Sequence, residues 1–127
     1  MKYLISTPAA PAAIGPYSQG IGATGEMVFV SGQLPVDPAT GEFASEEIRG
    51  QSRQSLQNVK EILSAAGYDM GDVVKTTVYL SDIKNFVSMN EVYAEFFQEP
   101  YPARAAFQVA ALPKGALVEI EVVACKK

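Results

Sequence analysis

The run Leu117-Val118-Glu119-Ile120-Glu121-Val122-Val123-Ala124-Cys125 is the feature that most limits the fold of this chain. Side chains alternate across a strand, so Val118, Ile120, Val122 and Ala124 share one face that is wholly apolar. That face belongs under helices. Leu117, Glu119, Glu121, Val123 and Cys125 share the other, and its two carboxylates stand about 6.6–6.8 Å apart along the strand. Two readings of this second face stay open. It is either half-exposed with solvated glutamates, or buried by self-association, where a carboxylate persists only with a partner or a task.

The rest of the chain must supply the cover. At 127 residues it is one domain, spanning 1–127, with no internal repeat, low-complexity segment or linker. A chain of this size buries about two-thirds of its unfolded surface. Residues 1–25 are rich in Pro, Ala and Gly and read as extended, turn-punctuated backbone, with a short strand around Tyr3-Leu4-Ile5. Met27 to Gly32 is a β-branched and aromatic strand, and Leu34 to Gly41 a loop with two prolines. From Ser45 the apolar period becomes helical through Ile48, Leu56, Val59, Leu63 and Ala66. Ser45 is the expected N-cap, Glu46 and Glu47 complement the helix dipole, and Gly67 is the expected left-handed stop. Val73 to Leu80 reads as a strand, and a second helix carries Phe86, Met89, Asn90, Tyr93 and Phe96-Phe97 before Pro100. Ala105 to Ala110 and Leu117 to Cys125 complete a β, β, α, β, α, β, β order. The fold class is α+β, a mixed sheet with two helices on one face.

Zero histidines and one cysteine remove Ser-His-Asp and Cys-His nucleophile systems, histidine- and cysteine-based zinc sites and disulfide frameworks. Catalysis must use carboxylate, hydroxyl, phenol, amine, guanidinium or backbone groups. Ten basic against fourteen acidic residues, with no basic cluster beyond Lys126-Lys127, argue against a surface that tracks phosphates, and so against nucleic acid as a partner. No apolar stretch reaches the roughly 18 residues of a membrane span, and the proline-broken N-terminus has no apolar core of a secretory signal. The expected location is the cytoplasm, where the lone Cys125 needs no partner.

Three segments carry more specific information: Ala9 to Gln19 with Gly15-Pro16-Tyr17, Ser31-Gly32-Gln33 with Pro35, and Pro102-Ala103-Arg104 through Leu112-Pro113, Gly115 and Val118-Glu119-Ile120-Glu121. Together they resemble the Rid (YjgF) family, and within it the RidA branch of enamine and imine deaminases, from about residue 5 to residue 125. The resemblance implies a chorismate-mutase-like fold, assembled as a homotrimer with a barrel-like core and helices outside. Ligand clefts would lie between neighbouring subunits. The implied reaction is hydrolysis of 2-iminobutanoate and 2-iminopropanoate to 2-keto acids and ammonia, without a metal or organic cofactor.

Arg104 has no acidic sequence neighbour from Tyr101 to Val118. Its planar fork of donors suits a substrate carboxylate, although a lone arginine is also an ordinary surface residue. In the resemblance it is the carboxylate ligand. Glu119 is the candidate for orienting water and taking its proton, with Glu121 structural or intersubunit. Tyr17, aimed by Gly15-Pro16, either hydrogen-bonds substrate and water or plugs a loop. Ser31 and Gly32 end a strand where backbone can approach a ligand. Asn90 maps near the family's cleft and equally suits helix packing. Ala105-Ala106 stands where many RidA proteins have Ser-Cys or Ala-Cys, so a thiol is absent there; the resemblance implies that the backbone at Ala106 still holds the ligand, since that contact does not depend on the side chain.

Two other functions compete with the deaminase. One is a trimeric module that binds a small carboxylate without catalysis. The other is the ribonuclease role attached to some family members, which the acidic charge and the lack of histidine oppose.

Overall fold

The computed structural model describes residues Met1–Lys127. Strands β1 (Lys2–Ile5) and β2 (Gly20–Ala23) pair antiparallel as a small ribbon. The main sheet contains β3 (Glu26–Gln33), β4 (Val73–Leu80), β5 (Ala103–Gln108) and β6 (Val118–Lys126) in the order β3-β6-β4-β5. Its β4–β5 pair is parallel and the other two pairs are antiparallel. Helices α1 (Ile48–Ala65) and α2 (Phe86–Phe96) supply the remaining layer. The α+β class with a mixed sheet and two helices is as expected.

The last strand lies inside the sheet, and its alternation holds from Val118 to Ala124, after which Cys125 is buried as well. Val118, Ile120, Val122 and Ala124 are buried in a core they share with Leu56, Val59 and Leu63 of α1 and with Met89, Val92 and Tyr93 of α2. Thr76, Val78 and Leu80 of β4 point to the same side. On the opposite face Leu117, Glu119, Glu121 and Val123 are half-buried. Their neighbours there include Met27, Phe29 and Phe107, which are 53%, 72% and 45% exposed. One sheet face is therefore closed by the helices, and within a single chain the other is an open, largely apolar surface.

Three local expectations need correction. Gly20–Ala23 is a strand rather than punctuated coil; two of its four residues are glycine, so side-chain propensity hides it, and pairing with β1 forms it. Helix α1 starts at Ile48, with Glu47 in the capping position and no side-chain cap. Ser45 instead accepts the Glu47 N–H in a local turn at 3.0 Å, and its carbonyl accepts from Gln51 Nε2. Glu46 and Glu47 thus precede the first turn rather than occupying it. Edge strand β5 runs from Ala103 to Gln108, two residues earlier than its apolar pattern suggests, because β4 pairs with it from Lys75↔Ala103 onward.

The stop of α1 is as expected. Gly67 has φ +78°, its N–H bonds to Ser64 O, and the Tyr68 N–H reaches Leu63 O, which together make a Schellman motif. Tyr68 and Leu63 are both in the core, so the motif also closes the hydrophobic contact that accompanies it.

Candidate functional site

The seven candidate residues fall into two groups. Arg104 and Ala106 lie on β5 at register positions opposite Thr76 and Val78, on the helix-covered face of the sheet. Arg104 is half-buried, and the ion pairs of the chain are Arg49–Glu91 and Arg53–Glu95, so its guanidinium has no carboxylate partner. Neutral groups hold it. Its Nη1 donates to Asn90 Oδ1 at 2.6 Å. Its Cζ stands 4.7 Å from the ring centre of Tyr93, 5.2 Å from that of Tyr17 and 5.6 Å from that of Phe86. Burial pushes its pKa down, partly offset by Tyr93 and Tyr17, yet a guanidinium stays charged at any physiological pH. A charged, desolvated and uncompensated arginine is a site built to receive an anion.

The N-terminal segment explains how Tyr17 reaches it. Gln19 fastens the loop by accepting from the Thr7 N–H at 2.7 Å and donating to Pro11 O at 2.6 Å. Ser18 joins the start of β5 through its N–H to Pro102 O at 3.1 Å and its hydroxyl to Tyr101 O. With residue 18 attached there, the Tyr17 ring is delivered beside the guanidinium. Its phenol oxygen accepts weakly from the Ile14 N–H at 3.4 Å and is otherwise free for a ligand. Asn90, Phe86 and Tyr93 come from one face of α2, at spacings of three and four residues.

Glu119, Ser31 and Gly32 form the second group. The β3–β6 register shifts between Val30 and Gln33, a bulge that contains Ser31 and Gly32. A Cβ on Gly32 would meet the Glu119 carboxylate, so with glycine here that side chain lies directly against the backbone, and a larger residue would make the carboxylate move. Nearby on the same open face, the Tyr79 hydroxyl donates to Glu121, and Tyr79 packs edge-to-face on Phe107. This hydrogen bond, with burial, pushes the Tyr79 phenol up to about 12.

The two groups do not meet within one chain. Arg104 is opposite Thr76 and Glu119 opposite Tyr79, three residues further along β4, which is about 10 Å. They also belong to strands on either side of β4, about 10 Å apart, and to opposite faces of the sheet. Arg104 is therefore not the neighbour that acts on Glu119 inside the chain.

Sequence reading placed Phe86 and Tyr93 on an apolar helical face but did not see them as walls around the guanidinium. The 86, 90, 93 spacing was the available signal. Thr76 and Tyr79 carried none, because their roles arise from strand register. A cleft of about 980 Å³ between the N-terminal loop and residues 99–101 shares only Tyr17 with the candidate set. No group of three or more acidic or cysteine side chains converges as a metal site, and no helix is long and apolar enough to cross a membrane.

Residues 7–126 match the family model described as Endoribonuclease L-PSP. A RutC family protein of Pyrococcus horikoshii is 54% identical over the whole of both chains. The 2-iminobutanoate/2-iminopropanoate deaminase of Bos taurus is 51% identical, covering 98% of this chain and 90% of its own. Among solved structures, Escherichia coli TdcF with bound serine superposes with a TM-score of 0.76 at 48% identity, covering 98% of this chain and 99% of that one.

Proposed function

The chain belongs to the Rid (YjgF) family, and from that premise we propose that it is a 2-iminobutanoate/2-iminopropanoate deaminase, a hydrolase acting on C=N bonds. The observation that carries this reading is the uncompensated guanidinium of Arg104, held by Asn90, Tyr17, Tyr93 and Phe86 and by no carboxylate. Relatives about half identical over nearly the full chain, named for this activity, support it.

In the proposed reaction Arg104 pairs bidentately with the substrate carboxylate, and the backbone at Ser31, Gly32 and Ala106 supplies further donors. Glu119 orients a water and accepts its proton as the oxygen attacks the C=N carbon. The carbinolamine that results collapses when its nitrogen takes the proton held by Glu119 and leaves as ammonia, while its hydroxyl gives up its proton to water and the C–O bond becomes the carbonyl of the 2-keto acid. Tyr17 hydrogen-bonds the substrate or the water. The imine carbon is already electrophilic and water is the only other reactant, so the chemistry requires neither a metal nor an organic cofactor.

Two copies must build one site, because Arg104 and Glu119 face away from each other in a single chain. The open sheet face with Met27, Phe29 and Phe107 is the surface on which copies would associate, as a homotrimer with a barrel-like, chorismate-mutase-like core. The deciding experiment is to generate 2-iminobutanoate in situ and follow formation of 2-oxobutanoate with and without the protein. A several-fold acceleration, lost in Arg104→Ala with the oligomer intact, is expected. Binding of the keto acid without acceleration would instead leave a carboxylate-binding module.

A further inference from the structure

Deep to Arg104 lies a pair of hydroxyls that the reaction above does not use. Tyr93 is completely buried, yet it is an aromatic residue with a polar end, and its hydroxyl is 2.8 Å from Thr76 Oγ1, also completely buried. Neither group has another side-chain partner, so each satisfies the other. Thr76 is the register partner of Arg104 on the adjacent strand, on the same face. The pair therefore fixes the Tyr93 ring beside the guanidinium, and among the three aromatic rings around Arg104 it is the nearest, at 4.7 Å.

We infer that Tyr93, anchored by Thr76, is the positioning residue for Arg104: its ring face holds the guanidinium in the orientation that receives a substrate carboxylate. The inference rests on the proposed role of Arg104. An arginine in a protein interior is usually fixed by a carboxylate, which would compete with the ligand for the same charge. A ring quadrupole attracts the cation without neutralising it, so the full positive charge remains for the anion. Phe97 packs on Tyr93 at 4.5 Å between ring centres and limits its movement further. Burial pushes the Tyr93 phenol up to about 12, so it stays neutral wherever the substrate carboxylate is ionised.

The test measures the affinity for 2-oxobutanoate by calorimetry, and kcat and KM for imine hydrolysis, in wild type, Arg104→Ala, Tyr93→Leu, Tyr93→Phe and Thr76→Val. Tyr93→Leu is expected to weaken 2-oxobutanoate binding and raise KM by about tenfold while kcat changes little, since water activation is remote from this ring. Tyr93→Phe restores the ring face but, like Thr76→Val, loses the bond that pins it, so it is expected to raise KM by only about threefold. Thr76→Val, an isosteric change, unpins the ring and is expected to raise KM by about threefold. It serves as the readout if Tyr93→Leu does not fold. A folded Tyr93→Leu with wild-type affinity and KM overturns the inference, as does a Tyr93→Phe variant no better than Tyr93→Leu. If Tyr93→Leu does not fold, a wild-type KM in Thr76→Val overturns it. Retention of 2-oxobutanoate binding in Arg104→Ala would be a separate failure, that of the carboxylate-clamp reading itself.

Discussion

Arg104 derives its proposed use from what surrounds it. A half-buried guanidinium with one amide acceptor and three ring faces retains most of its hydrogen-bonding capacity for a ligand. Removing it should cost deamination rather than folding: Arg104→Ala is expected to lower kcat/KM by at least about a hundredfold, read by keto-acid formation, with no loss of assembly by sedimentation. Glu119→Gln keeps the shape against Gly32 and removes the proton acceptor. It is expected to preserve 2-oxobutanoate binding and lower kcat by about 10²–10⁴-fold; unchanged kcat would make Glu119 a structural residue. The two raised phenols set a limit in alkali. Tyr79 and Tyr93 titrate near 10.0 when unfolded and near 12 when folded, so the unfolded state loses protons first as pH rises. The contribution of these two phenols to stability is full below about pH 10 and is lost between about pH 10 and 12. For Tyr93 the loss is on the order of 2–3 kcal/mol. Urea midpoints measured across that window should decline less steeply in Tyr93→Phe than in wild type.

Helix α1 shows how an element can be held by its ends and neighbours rather than by its cap. It begins without a side-chain cap and stops in a Schellman motif, where Gly67 adopts a φ of +78° that other residues reach only at a cost. Gly67→Ala is expected to destabilise the fold by about 1 kcal/mol in a denaturant titration. On the surface, Arg49–Glu91 and Arg53–Glu95 bridge α1 to α2 at matching four-residue steps. Half or more of each of these side chains is exposed, so a double-mutant cycle should return less than about 1 kcal/mol per pair. Inside, Ser52 and Ser55 are fully buried and their hydroxyls have no partner. Ser55→Ala removes the unsatisfied group and improves helix propensity, so it should raise the denaturant midpoint; a fall would mean the hydroxyl is bonded after all.

Across the whole molecule, one sheet face is covered by the helices and the other is an open, largely apolar surface, the one proposed above for association. Phe29 is 72% exposed and sits beside Val123 in the β3–β6 register. A charge placed there should be tolerated by a lone chain and refused by an apolar interface. Phe29→Glu is expected to shift the sedimentation coefficient toward a monomer and to abolish deamination with Arg104 and Glu119 both intact, because the two site halves then stay in separate chains. A Phe29→Glu monomer with full activity would defeat the shared-site reading.

The sequence by itself determined the central strand and its two faces, the helical period of α1 and α2, the glycine stop at residue 67, and the motifs that placed the chain in its family. These are local properties, set by side-chain alternation, by backbone stereochemistry and by contiguous residues, and they are readable wherever neighbours along the chain are the relevant neighbours. Strand Gly20–Ala23 was hidden because pairing, not propensity, creates it. The start of α1 moved past Ser45 because that hydroxyl is used in a turn of its own. Only the tertiary structure decided that Tyr17, Asn90, Phe86, Tyr93 and Thr76 gather around Arg104, and that Glu119 lies against Gly32 on the opposite face. The physical reason is register: which strand lies beside which, and at what offset, depends on closing contacts between residues far apart in the chain, and no local pattern records it.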